Sequence, residues 1–258
     1  LNLVALAQAG VKTIALACVV VTGTIFLAYN LARRFGVDRH LAILTASGTG
    51  ICGAAAVMGI ASQLPTSEKD AERHSEDKVV AVAIVAILGT LFTLVDIAVG
   101  PLLGTSATQF GVMAGGSLHE IAHAVAAGGA GGSESLDIAI ITKLSRVLLL
   151  APAAIVIGVW YRKTEGVEAD RKGRVPIPWF MVGFVAASVI GTFAPLTQEM
   201  LDGLVKVSYL LLGMAMAALG MTVNFRVLLT RGRNAFVAAL ITSVVLLVFV
   251  AAMALLFF

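Results

Sequence analysis

Lys143 and Arg146 stand three residues apart inside the apolar run IAIITKLSRVLLLAPAAIVIGVW, and His119, Glu120 and His123 stand inside the glycine-flanked segment MAGGSLHEIAHAVAAGG. A spacing of three puts both cations on one helical face. Arginine offers a planar fork that fits an oxyanion and lysine a compact point charge, so together they can hold a small anion. Glu120 can gain or lose a proton as its surroundings change charge, and His119 can relay a proton or touch the substrate near neutral pH. Asp96, in LFTLVDIAVG, is a second acid in an apolar run, available for proton coupling or for pairing with a cation. A charge at the bilayer centre costs roughly 2.5–3.5 kcal/mol on insertion scales, so such residues are paired, solvated or functional.

The elements that must position these groups are membrane helices. Apolar residues fill 59% of 258 positions and charged residues only 13%, against about half and a quarter in soluble domains. Six segments, about 11–31, 79–102, 138–160, 177–197, 205–224 and 235–257, approach the roughly 20 residues that cross a hydrocarbon core. No alternating ten-residue pattern of a β-barrel is present. The expected class is therefore an all-α polytopic membrane protein. The whole stretch 1–258 reads as a single transmembrane domain, and its start at LNLVALAQAG, without Met, reads as N-terminally incomplete. Although the net charge is +3, the basic residues lie in short loops, which suits the positive-inside rule and not nucleic acid. Cys18 and Cys52 have neither disulfide nor metal spacing, and no metal or cofactor is expected.

Two further apolar stretches, about 41–62 and 107–130, are interrupted by the glycine clusters SGTGICG and AGGS. Several glycines together favour a helix break, and broken backbone survives at membrane depth only inside protein or beside a wet cavity. The stretches align at a shift of 68, Ala46, Gly48, Ala54, Ala56 and Val57 matching Ala114, Gly116, Ala122, Ala124 and Val125. A weaker match at a shift of 222 sets Asn2, Leu6 and Gly10 against Asn224, Leu228 and Gly232. If both broken stretches are re-entrant, the basic loops 32–40, 63–78, 161–176 and 225–234 share one side, while 103–107, 131–137 and 198–204 carry no Lys or Arg. That pattern favours re-entrant over spanning segments, makes the repeats inverted, and places the basic loops in the cytoplasm.

Half-helix N-termini at such breaks offer free N–H groups to an anion. Gly48, Thr49, Gly50 and Cys52 in the first break and Gly115, Gly116 and Ser117 in the second are the candidates; close helix packing through small residues is the alternative. Lys143 and Arg146 have their own alternative, pairing with Glu120 or Asp96, and Lys143 is near enough to an end to snorkel. Asn224 can line the site or cap a break, while His40 and His74 read as solvent-facing. The sequence His119-Glu120-Ile121-Ala122-His123 also satisfies H-E-x-x-H, the signature of a zinc protease helix. A third ligand is needed, and neither Glu134 nor Asp137 falls in a recognisable position.

The runs SGTGICGAAAV (47–57), QFGVMAGGSLHEIAHAVAAG (109–128), ITKLSRVLLLAP (141–152) and LLLGMAMAALGMTVNFRVL (210–228) resemble the YeiH-type sulfate exporter family. The resemblance implies an inverted-repeat secondary transporter of the bile-acid/arsenite transporter superfamily, extended at the N-terminus by two or three helices. It also weakens a zinc site, because some members carry glutamine at the position of His123. The expectation is a non-enzymatic carrier of a small anion, in the sulfate, sulfite or sulfonate class, in the bacterial inner membrane. Its partners would be that anion, a coupling H⁺ or Na⁺, the lipid bilayer and further copies of the chain. An intramembrane zinc protease and a passive anion channel are the competing functions.

Overall fold

The computed structural model describes residues 10–66, 68–165, 179–193, 197–222 and 230–258. Among these, every regular element is helical. A long helix α1 (Gly10–Arg34) leads into α2 (Arg39–Gly50), a three-residue break, and α3 (Ala54–Ala61). A 3₁₀ turn (Glu68–Asp70) opens the 32-residue helix α4 (Ala71–Leu102). Then come α5 (Ala107–Ser117), a second three-residue break, α6 (Ile121–Ala130), α7 (Ser133–Leu148) and α8 (Leu150–Glu165). Helices α9 (Trp179–Phe193), α10 (Gln198–Thr222) and α11 (Arg233–Phe257) complete the described chain.

Four stretches of the described residues are long and apolar enough to cross a membrane: α1, α4, α7 with α8, and α11. The expected spans at 177–197 and 205–224 fall on α9 and α10 together with residues outside the described ones. The expected span 138–160 starts earlier, at Ser133, and is interrupted at Leu149. Pro152, which has no N–H to donate backwards, sits in the first turn after that interruption. In α1 the buried positions Leu16, Val20, Thr24, Ala28 and Ala32 recur at every fourth residue, while Val19 and Phe26 stay exposed. A helix with an apolar inner stripe and an apolar outer face suits a lipid surround.

Polar contacts fix which ends lie together. Asp38 caps α2 by accepting from the His40 amide and also pairs with Arg73 near the start of α4 at 2.6 Å. Thr66, just beyond α3, lies 3.2 Å from His74. Arg231 pairs with Glu76, and Asn234 donates to the Phe35 carbonyl. The Tyr29 and Trp160 rings meet edge to face at 5.3 Å, which brings the C-terminal end of α8 to that of α1. The loop at 32–40, residues 63–66 and the residues just before α11 therefore share one end of the bundle with the end of α8. At the other end Thr108 donates to Glu134 at 2.9 Å, and Phe110 is wedged between Gly100 and Gly131. Each broken segment thus begins and ends at a single end of the bundle, the first at the basic end and the second at the opposite one.

His40 does not face solvent as its sequence context predicts. It is 2% exposed, bonds Asp77 at 3.0 Å through Nδ1, and stacks on the His74 ring at 3.7 Å. Asp77 is itself buried and lies 3.4 Å from Arg231. The correction follows from α4 extending a full two turns beyond the apolar run, so that its polar start covers the loop before α2. Leaving a buried donor without its acceptor costs about 1–3 kcal/mol. Asp77→Ala is expected to lower the melting temperature in detergent, and His40→Leu in the same chain to recover much of the loss; an unchanged melt for the single variant refutes the coupling.

Candidate functional site

Arg146 and Lys143 are fully buried, at 0% exposure, on the inner face of α7. Arg146 donates through one terminal nitrogen to the carbonyls of Gly116 (2.7 Å) and Leu118 (3.0 Å), and through the other to Thr49 (3.2 Å) and Gly50 (2.7 Å). Lys143 uses its ammonium on the carbonyls of Ile51 (3.0 Å), Leu118 (2.6 Å) and His119 (2.7 Å). Three donors meet three acceptors, so the ammonium is saturated. These carbonyls belong to the last turns of α2 and α5 and to the breaks beyond them. A helix C-terminus leaves its final C=O groups without intrahelical partners and carries a partial negative charge. Two such ends converge here on two cations.

Gly48, Thr49, Gly50, Gly115, Gly116 and Ser117 end half-helices rather than start them, the reverse of the expectation, and Thr49, Gly50 and Gly116 present carbonyls to Arg146. Neither cation pairs with Glu120 or Asp96; among the described residues neither forms any ion pair. Lys143 does not snorkel. Its ammonium is held by three carbonyls inside the protein.

The glycines permit this convergence by close approach. A Cβ on Gly115 would lie 2.4 Å from the Ala139 carbonyl oxygen of α7, one on Gly116 2.6 Å from Val250, one on Gly48 2.8 Å from Val85, and one on Gly50 2.7 Å from Ile25. Gly53 does something further. Its φ of +67° turns the chain into α3, and a Cβ there would fall 2.3 Å from Glu120 Cγ. In that space the Glu120 carboxylate accepts from the Ala54 amide at 3.1 Å and so caps α3 across the two segments. Sequence reading passed over Gly53, although it closes the SGTGICG run. Nothing local says that a glutamate 67 positions away will occupy its side-chain volume.

The remaining candidates surround this centre. Ser117 Oγ lies 2.8 Å from Asp96 Oδ2 and 2.7 Å from the Met113 carbonyl, so Asp96 is tied to the end of α5 and not to a cation. Thr49 Oγ1 is buried without a partner, and Cys52 is a buried free thiol in the first break. His119 sits in the second break, its Nε2 2.9 Å from Ser243 Oγ of α11 and its ring beside Phe92. His123 is a packed histidine: its ring lies against Gly89 of α4, where a Cβ would meet it at 2.2 Å, and its Nε2 is 3.4 Å from Thr90 Oγ1. The H-E-x-x-H residues therefore do not share one helix face. His119 precedes α6, and the two imidazoles engage different neighbours. Among the described residues no three His, Cys, Asp or Glu side chains gather as a metal site. Asn224 lies outside the described residues.

Arg146→Lys is expected to be destructive despite keeping the charge, because one ammonium cannot span four carbonyls around both breaks. Hydrogen bonds to charged groups contribute about 1.5–3 kcal/mol each, so losing two predicts a loss of about 3 kcal/mol or more. Gly53→Ala is expected to destabilise through both positive φ and the collision with Glu120. Gly23→Ala, in an open part of α1, should be neutral or add up to about 1 kcal/mol. Thermal unfolding in detergent measures all three, and equal melting of Gly53→Ala and Gly23→Ala contradicts the assigned geometry.

The family model described as conserved hypothetical protein 698 matches residues 1–239. A protein named UPF0324 membrane protein from Lactobacillus johnsonii is 52% identical over the whole of this chain and 76% of its own length. One from Bifidobacterium longum is 51% identical over the whole chain and 73% of its length. A third, from Bacillus cereus, is 47% identical over 95% of this chain and 71% of its own. These names state a membrane protein and give no substrate, and none of them carries the sulfate exporter or bile-acid/arsenite assignment that the motifs suggest. No solved structure matches. With its glycine breaks and its buried Lys143 and Arg146, this chain belongs to the conserved hypothetical protein 698 family, the UPF0324 membrane proteins.

Proposed function

We propose that the protein is a secondary active transporter of a small anion, working by alternating access in the bacterial inner membrane. The observation that carries the reading is the pair of buried cations, without a carboxylate partner among the described residues, at the meeting point of two helix breaks. Carbonyl dipoles take up the Lys143 ammonium and both terminal nitrogens of Arg146, while Arg146 Nε has no partner among the described residues, and they leave the net charge in place. A low-dielectric site holding uncompensated positive charge attracts anions and repels cations. At 1.5 Å per residue, α2 reaches about 18 Å inward from the basic end and α5 about 16 Å from the other. The two together match a hydrocarbon core of about 30 Å, so the breaks meet near mid-membrane. Opposed re-entrant hairpins make the halves an inverted repeat in the manner of transporters. Basic loops 32–40, 161–176 and 225–234 then lie in the cytoplasm.

Glu120 supplies the coupling. Its carboxyl group sits at the N-terminus of α3 and accepts from the Ala54 amide, a place that favours its anionic form. Protonation of Glu120 removes that internal anion and leaves the α3 amide and the field of Lys143 and Arg146 to the substrate, which would move with the proton. Sulfate, sulfite and small sulfonates suit two fixed positive charges, and His119 and Thr49 lie close enough in sequence to the breaks to contact them.

Proteoliposomes with labelled sulfate, sulfite or a small sulfonate, under imposed pH or Na⁺ gradients, test the reading. Accumulation driven by a proton gradient is expected, with Glu120→Gln retaining exchange and losing the response to pH. Flux that never exceeds equilibration under any gradient identifies a channel. Absence of flux for every anion, or full flux in Arg146→Ala, overturns the proposal.

A further inference from the structure

An apolar groove of about 410 Å³ runs along the outside of the bundle between α1 and α8, with Ile43 of α2 on its floor. On α1 it extends from Cys18 to Tyr29. Eleven rises of 1.5 Å make that about 16 Å, the depth of one leaflet of a core about 30 Å thick. Its walls are formed by two stretches that are long and apolar enough to span a membrane. One end is closed by the edge-to-face pair of Tyr29 and Trp160, the amphipathic rings that settle at headgroup level.

Helical periodicity carries the groove into charge. Along α1 the lining residues Val21, Thr22, Ile25, Phe26 and Tyr29 are continued at the next turn by Arg33, four residues on. Along α8 the lining residues Val156 and Trp160 are continued by Lys163. Both basic side chains are exposed, and among the described residues Arg33 engages the Val37 carbonyl through one terminal nitrogen. An apolar trough one leaflet deep, ending in aromatic rings and then in two cations, is complementary to an acyl chain with an anionic headgroup.

We propose that this groove is a binding site for an anionic glycerophospholipid of the surrounding bilayer. One acyl chain lies against Ile43 and Val156, the glycerol backbone sits at the Tyr29–Trp160 pair, and the phosphate is held by Arg33 and Lys163. The groove also includes Leu149 and Pro152, which lie at the interruption between α7 and α8. The bound chain therefore braces the point from which the Lys143 and Arg146 helix departs.

Trp160 reports occupancy directly. The chain has two tryptophans, so Trp179→Phe leaves Trp160 as the only tryptophan, and excitation at its red edge avoids the tyrosines. The variant is reconstituted in phosphatidylcholine containing a small, equal fraction of dibrominated phosphatidylglycerol or dibrominated phosphatidylcholine. Quenching several-fold stronger with the brominated anionic lipid is expected, since each basic residue near a membrane surface favours anionic lipid. Lys163→Gln, a change at an exposed side chain, should reduce that preference, and Arg33→Gln with Lys163→Gln should abolish it while an unchanged melt confirms the fold. Equal quenching by the two lipids overturns the site as headgroup-selective. A preference that survives the double substitution shows the headgroup is held elsewhere, and no quenching by either lipid shows that protein covers the groove.

Discussion

The arrangement rests on one constraint: a helix that stops inside an apolar medium leaves carbonyls that nothing in that medium can satisfy. Two helices stop inside this bundle, α2 at Gly50 and α5 at Ser117. Lys143 and Arg146 meet the need with donors that are charged, multivalent and one turn apart. Their burial would be costly alone, and so would bare helix ends. Together each offsets the other, and α7 becomes the element to which both hairpins are fastened.

The helices that follow the two breaks start unequally. Gly53 is the N-cap of α3 and Glu120 the N-cap of α6, so one segment carries an acid where the other carries no side chain. The acid reaches across and caps the opposite segment in the volume that glycine leaves open. The acid is thereby placed on one side of the centre only.

The broad architecture was legible because composition and glycine punctuation act locally. Apolar content required membrane helices, the clusters SGTGICG and AGGS marked both breaks, and charge in an apolar run singled out Lys143 and Arg146. The polarity of the breaks was not legible. A glycine cluster says that a helix is interrupted, but whether its carbonyls or its amides face the cations depends on how the hairpins cross. The partners of Glu120 and His123 were hidden for a related reason: Gly53 and Gly89 matter for the side chains that fill their vacancies from other elements. His40 was misread because a loop histidine is ordinarily solvated, and only the extension of α4 buries it.

The fastening also limits how such a protein can move. Three hydrogen bonds from Lys143 and four from Arg146 join both hairpins to α7. At about 1.5–3 kcal/mol for each charged hydrogen bond, sliding one hairpin past the other would cost on the order of 10 kcal/mol. It would also strand two charges in a medium without water. Conformations that interconvert during function differ by a few kcal/mol. For the transport proposed above, a working motion would carry α2, α3, α5, α6 and α7 together as one body, with the displacement taken up where that body meets the rest of the bundle. The one-residue interruption at Leu149 separates the fastened helix α7 from the outer helix α8.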